Sequence, residues 1–367
     1  MLDHAVWNGL HLADLAFPGF VFCMGLSIAI TNRRDAQRLE QVLDEAERTL
    51  DYDPVNVGSS RVAPLPSASA SASETTASTD ELFAQHALST ASRSRFVVLV
   101  LEYAKVLYRI VRRAAILFFI GFALSNVGFD DYKNTRIFGV LQRLAVTYLL
   151  TGIISMIVLP RYSPRWFPQH DTGDGHHSGA EGAPPDHRAR TCSLLWDVLP
   201  FWPEWIAVLA LLGVQLGFEF GANVPGCPRG YLGPGGLHWN ASFVNCTGGA
   251  HRWIDVQVLG DKHMYRTPTA MFIYMTSVHF DPEGLLGTCS ATFLCFLGLQ
   301  AGKVLLFSSS PVERVVRLCV WAVICGALAL PLVLLKGPLD FNPSLIPINK
   351  NLWYVDLVKS FTTSSLS

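Results

Sequence analysis

Charge is what this chain has least of: Asp, Glu, Lys and Arg together make up 16% of it, and the formal net charge is −1. No basic field is present to hold nucleic acid, so nucleic-acid partners are excluded. The glycines of Gly230 to Gly236 lack the Lys-Ser/Thr that completes a phosphate loop, and read instead as tight turns. His170, His176, His177 and His187 offer no i, i+4 pair of the kind a helical zinc site uses, so no metal is expected there. No cleavable signal peptide precedes the first apolar run. No motif is duplicated between the halves, as an inverted-repeat transporter would show.

Apolar residues are abundant instead. Half of the chain is hydrophobic and the mean hydropathy is +0.31, a composition of polytopic membrane proteins. The expected fold class is an all-α polytopic membrane protein with about six to seven transmembrane helices and one long irregular lumenal loop. Membrane-length runs lie at residues 10–30, 137–159, 199–218, 284–301 and 315–335. A shorter run, 114–127, spans only if the preceding helix with Tyr108 and Ile110 extends it and Arg112 and Arg113 snorkel. A seventh span begins near Trp353. Pro18 and Pro331 are the break signals inside spans. The chain reads as a piece of a longer protein, because it begins at its most chemical residues and ends inside an expected helix.

Loop charge sets the orientation. Arg33, Arg34, Arg93, Arg95, Lys105, Arg109, Arg112, Arg113, Arg161, Arg165, Arg188, Arg190, Lys303, Arg314 and Arg317 fall on one side, which is assigned to the cytosol. The loop at 221–283 then faces the lumen. It carries two glycosylation sequons, at Asn240 and Asn245, and the two cysteines of that compartment, Cys227 and Cys246, for which a disulfide is expected. Its aromatic and aliphatic residues Trp239, Phe243, Trp253, Ile254, Val256 and Val258 are suited to packing a lid over the helix ends.

These signals divide the chain into eight parts. Residues 1–31 hold a polar segment and the first span, and 32–95 a low-complexity cytosolic insertion that starts with an amphipathic helix at 35–50. Residues 96–159 hold the second and third spans, 160–198 a solvated cytosolic loop, and 199–220 the fourth span. The lumenal loop at 221–283 follows, then the fifth and sixth spans at 284–335, and a lumenal loop with the incomplete seventh span at 336–367.

Several polar groups converge on the lumenal face in this topology. His4 and Asn8 precede the first span, and Asp14 lies one to two turns inside it. A carboxylate in a span must face a partner, a cavity or a substrate. An imidazole, with its ordinary pKa of about 6.5, suits proton transfer or acyl relay. Asp14 can orient that imidazole or pair with Arg143. Gln142 and Arg143 enter the third span from the same side, Asp281 and Glu283 precede the fifth, and Asn349, Lys350 and Asn351 precede the last. Simpler roles compete: Arg143 as a snorkelling residue, Asp281 as a helix cap ahead of Pro282, Asn349 and Asn351 as caps, and Trp7 as an interfacial anchor. Gly287, Gly298 and Gly302 permit close helix packing.

The residues HAVWNGLHLADLAFPGFVFCMG (4–25) resemble the histidine-bearing segment of the heparan-α-glucosaminide N-acetyltransferase family of lysosomal transmembrane enzymes. The resemblance continues through GVLQRLAVTY (139–148), VPGCPRGYLGPGG (224–236), NCTGGA (245–250), DPEGLLGT (281–288), FLGLQAGK (296–303) and IPINKNLW (346–353). It implies transfer of acetyl from cytosolic acetyl-CoA, a co-substrate, to the terminal glucosamine amine of a heparan sulfate oligosaccharide, with the chain a multi-pass glycoprotein of the lysosomal membrane. It places the active-site histidine at His4, as general base or acetyl carrier. Asn8 and Asp14 are then expected to hold and polarise the site, and Arg112 or Arg113 are candidates for the CoA phosphates. Helices expected before His4 and after Trp353 are not in this sequence, so the chain alone is expected to have an open pocket. A homo-oligomer is left open. The competing reading is a transporter whose polar path is lined by Asp14 and Arg143.

Overall fold

The computed structural model describes residues 7–8, 11–50, 75–127, 134–163, 195–308, 310–335 and 349. Among them the protein is all-helical, and the single β-type pairing is an isolated bridge between Asn8 and Asn349. The principal helices are α1 (Ala16–Leu50), α2 (Thr75–Ser125), α3 (Val140–Met156), α4 (Trp202–Gly221), α5 (Ala250–Val258), α6 (Thr269–Tyr274), α7 (Leu285–Phe307) and α8 (Pro311–Leu334). Among the described residues three stretches are long and apolar enough to cross a membrane: Leu199–Gly221, Leu285–Phe307 and Pro311–Leu334. Helix α3 is apolar but shorter, while α1 and α2 carry their apolar stretches inside much longer helices. The architecture is that of an all-α membrane protein.

Two sequence expectations change here. The amphipathic segment at 35–50 is not a separate helix, because α1 runs unbroken through it to Leu50. Pro18 does not break the span either. It sits in the first turn of α1, where amide hydrogens have no intrahelical acceptor to lose. The run at 114–127 forms the end of α2, extended by the preceding turns as its length required.

Helix α7 is the axis of the bundle and packs against α1, α3, α4, α5 and α8. Lipid is as apolar as a leucine side chain, so close contact, rather than removal from water, must hold such helices together. The sequence supplies that contact with glycine. A Cβ on Gly25 would lie 1.9 Å from the Cys295 carbonyl oxygen, and one on Gly298 would lie 2.1 Å from that of Phe22. Around this seam Val21, Ile28, Ala29, Ile154, Val208, Leu294 and Leu299 form the main core. Helix α8 is different, with most of its apolar side chains facing outward.

At the end of the bundle where α4 finishes and α7 begins, the loop between them folds into a lid. Its Cys227 and Cys246 form a disulfide with Cα atoms 5.7 Å apart. Gly236 has φ +58°, and a Cβ there would stand 1.9 Å from the Tyr274 carbonyl oxygen, so only glycine fits that turn.

Candidate active site

The site is built where the lid, the segment before α1 and the ends of α3, α4 and α7 meet. Trp7 anchors that segment: its indole is 1% exposed, donates to the Leu232 carbonyl at 3.0 Å, and lies 5.4 Å from the Phe280 ring. Buried Trp7 is thus a lid anchor and not the expected interfacial residue. Ala270, Leu216, Phe220 and Tyr274 complete the cluster. Asn8 follows in contact with Asn349, whose Nδ2 donates to the Asn8 Oδ1 at 3.1 Å. Asn349 therefore joins the first-span segment and is not simply a cap. Asp14 is 3% exposed, and its carboxylate accepts the His11 backbone amide at 3.0 Å, closing the turn Leu12–Leu15 that leads into α1. His4, Lys350 and Asn351 lie outside the described residues, as do the histidines at 170–187, residues 51–74 and the expected seventh span.

Gln142 and Arg143 are both fully buried on α3. Arg143 does not snorkel; its Nη1 donates to the Pro282 carbonyl at 3.1 Å. The two amide atoms of Gln142 are buried without a hydrogen-bond partner among the described residues. Buried amides seldom go unmatched, so this is a position where a polar ligand or water finds a ready partner.

Asp281 and Glu283 are gathered by Arg136, which lies far from both in sequence. Arg136 forms a two-pronged contact with Asp281 (2.9 and 2.7 Å) and reaches Glu283 at 2.6 Å. The paired carboxylates raise the Arg136 pKa although burial opposes them; burial raises that of Glu283, helped by Asp281 beside it. Asp281 does not cap α7. That helix starts at Leu285, and its first amide is taken by Asp255 Oδ1 at 2.9 Å, from 30 positions earlier. Asp255 is fully buried, and its Oδ2 has no hydrogen-bond partner among the described residues. Burial pushes its pKa up to about 7, against the pull of His251 and Arg143.

One turn before Asp255 on α5, His251 Nε2 lies 2.6 Å from Glu219 Oε1 at the end of α4, and Gln215 Nε2 donates to the same oxygen at 3.0 Å. All three are buried. Glu219, His251 and Asp255 are not among the residues expected from sequence; the available signal is the carboxylate of Glu219, one position beyond the apolar run 199–218 and still within α4. The lid core also differs from expectation. Trp239 and Val258 are exposed, and Tyr231, Leu232, Met264 and Phe280 are buried instead.

At the opposite end, Lys303 is a buried residue and not a loop charge. It pairs with Glu204 and lies 3.6 Å from the Phe201 ring centroid. Between α1, α2 and α3 a pocket is lined by Arg109, Arg113, Asn32, Asp35, Thr31 and Tyr148 among others, and Arg109 pairs with Asp35 at 2.8 Å. Arg113 opens onto that pocket, while Arg112 is exposed elsewhere on α2.

The sequence is similar to that of known proteins. The chain is 32% identical over 366 residues to human heparan-alpha-glucosaminide N-acetyltransferase and 31% identical over 364 residues to its mouse counterpart. Each match covers 98% of this chain and 42% of the relative, so the chain spans less than half the length of the curated proteins it matches. No family model matches the chain. The similarity to these proteins runs along nearly the whole length of this chain.

Proposed function

We propose that this protein carries the acyl-transfer core of a transmembrane acetyltransferase of the lysosomal membrane. In this reading acetyl passes from acetyl-CoA on the cytosolic side to the terminal glucosamine amine of heparan sulfate in the lumen. The observation that carries the reading is similarity over 98% of the chain to proteins named heparan-alpha-glucosaminide N-acetyltransferase. The buried polar groups at the assigned lumenal end support it, since each is expensive there without a task.

His4 is the central residue. In direct transfer it takes the proton of the acceptor ammonium, the freed amine attacks the thioester carbonyl, the C–S bond breaks, and CoA leaves as its thiol once protonated. The alternative has His4 itself accept the acetyl group and pass it on. Direct transfer is favoured because it avoids an acetyl-imidazole exposed to lumenal water. Asn8, oriented by Asn349, holds the carbonyl oxygen or the sugar, and Asp14 fixes the segment that presents both. Gln142, Arg143, Asp281, Glu283, Asn349, Lys350 and Asn351 are proposed to receive the sugar. Arg136 pairs with Asp281 and Glu283 while Arg143 holds the Pro282 carbonyl between them, so the two acids are presented in a fixed geometry. For the donor phosphates, Arg113 with Arg109 is the better-placed pair on the cytosolic side.

The test supplies acetyl-CoA and a glucosamine-terminated oligosaccharide to membranes containing this protein or its His4→Ala variant. N-acetylated product from the first and none from the second supports the proposal. Equal product from both, or movement of sugar across the membrane without acetylation, refutes it.

A further inference from the structure

The two sequons of the lid differ in a way that sequence alone hides. Asn240 and its hydroxyl partner Ser242 are both exposed, on a loop where Trp239, Asn240 and Ala241 all have positive φ. Asn245 is also exposed, but Thr247, which completes its sequon, is 0% exposed. The Thr247 hydroxyl is wedged against Gly235, where an added Cβ would come within 2.7 Å of it. The residue between them, Cys246, is locked into the disulfide with Cys227. Backbone bonds clamp both flanks: Gly236 N donates to Val244 O at 2.9 Å, Cys246 N to Phe243 O at 3.1 Å, and Gly248 N to Gly233 O at 3.0 Å.

N-glycosylation needs that hydroxyl. The Asn amide nitrogen attacks the anomeric carbon of a lipid pyrophosphate-linked oligosaccharide, the C–O bond to pyrophosphate breaks, and the amide proton is lost as the lipid pyrophosphate leaves. The acceptor must offer Asn and the Ser/Thr hydroxyl together to the transferase. Freeing Thr247 from its wedge requires breaking the flanking hydrogen bonds and, for Cys246, the cross-link itself.

We propose that Asn245 is glycosylated only before the Cys227–Cys246 disulfide closes, whereas Asn240 remains an acceptor in the folded lid. Closure of the disulfide and modification of Asn245 are therefore competing steps, and the occupancy of Asn245 records which came first. This ordering does not depend on the acetyltransferase reading.

The experiment uses the whole protein in detergent, made in cells whose lipid-linked oligosaccharide synthesis is blocked, and offers it purified oligosaccharyltransferase with its lipid-linked donor. Peptide mass spectrometry reads each site, with and without reductant, and in Cys227→Ser. The expected result is glycan on Asn240 and none on Asn245 in the oxidised protein, with Asn245 gained after reduction or in Cys227→Ser. Modification of Asn245 in the oxidised protein overturns the proposal, as does refusal of Asn240 there. Failure of both reduction and Cys227→Ser to open Asn245 removes the disulfide as the gate. Working in detergent makes these outcomes independent of which side of a membrane the loop faces.

Discussion

Asn8 and Asn349 are 341 positions apart, yet their side chains share a hydrogen bond of 3.1 Å and their backbones form an antiparallel bridge. The carboxamide of Asn349, 1% exposed, thereby fixes the orientation of the one on Asn8. Asn349→Ala leaves Asn8 in place but free to turn. Acetyl transfer is expected to fall about tenfold, equivalent to about 1.4 kcal/mol in the barrier. Kinetic assay beside thermal unfolding in detergent separates the two roles: a lower unfolding midpoint with an unchanged rate would make the contact a structural tie alone.

Asp255 carries a pH prediction. Its pKa moves from 3.8 to about 7 because burial disfavours the charged form. The folded protein then binds a proton that the unfolded chain has already released between those values, so stability falls as pH rises from about 4 to about 7. Above that window the loss is complete and constant. Asp255→Asn keeps an oxygen to accept the Leu285 amide but cannot ionise, so it should flatten this part of the stability profile. Unfolding measured in detergent across that range checks it, and an unaltered slope would assign the dependence to another group.

Arg136 holds two acids, and removing it differs from removing either one. Arg136→Gln leaves Asp281, which is nearly fully buried, beside Glu283 with no cation between them, at a cost of about 3 kcal/mol. Glu283→Gln retains the two-pronged Asp281 contact and should cost well under half as much. A double-mutant cycle of the two substitutions measures the difference.

Two glycines should respond in opposite senses to alanine. At Gly298 the new Cβ would press on the Phe22 backbone, and backbone cannot rotate away, so a loss of about 2 kcal/mol or more is expected. At Gly326 nothing lies within 4 Å, and the better helix propensity of alanine should leave stability equal or up to about 1 kcal/mol higher. Comparative thermal stability of the two variants decides it.

Much of this architecture was legible because hydropathy and helix periodicity are local properties. The runs at 199–218, 284–301 and 315–335 become α4, α7 and α8 with ends shifted by a few residues. Asn8, Asp14, Gln142 and Arg143 stood out because polar groups near apolar runs are conspicuous. What stayed hidden are pairings across distance. Nothing near Asp255 in sequence announces that it caps a helix 30 positions later, and nothing near Arg136 points to Asp281. Lys303 looked like a loop charge because its partner, Glu204, lies 99 positions earlier on another helix.

Helix α1 runs without interruption for 35 residues, roughly 50 Å at the usual rise of 1.5 Å per residue, well beyond the thickness of a hydrocarbon layer. Its first half is seated on α7, where Gly25 meets the Cys295 backbone and Arg33 Nη1 donates to the Leu306 carbonyl, and beyond that Asp35 pairs with Arg109 of α2. A rod seated at successive points cannot pivot, so a displacement of its Asp14 end must unseat it from α7 along the shared seam.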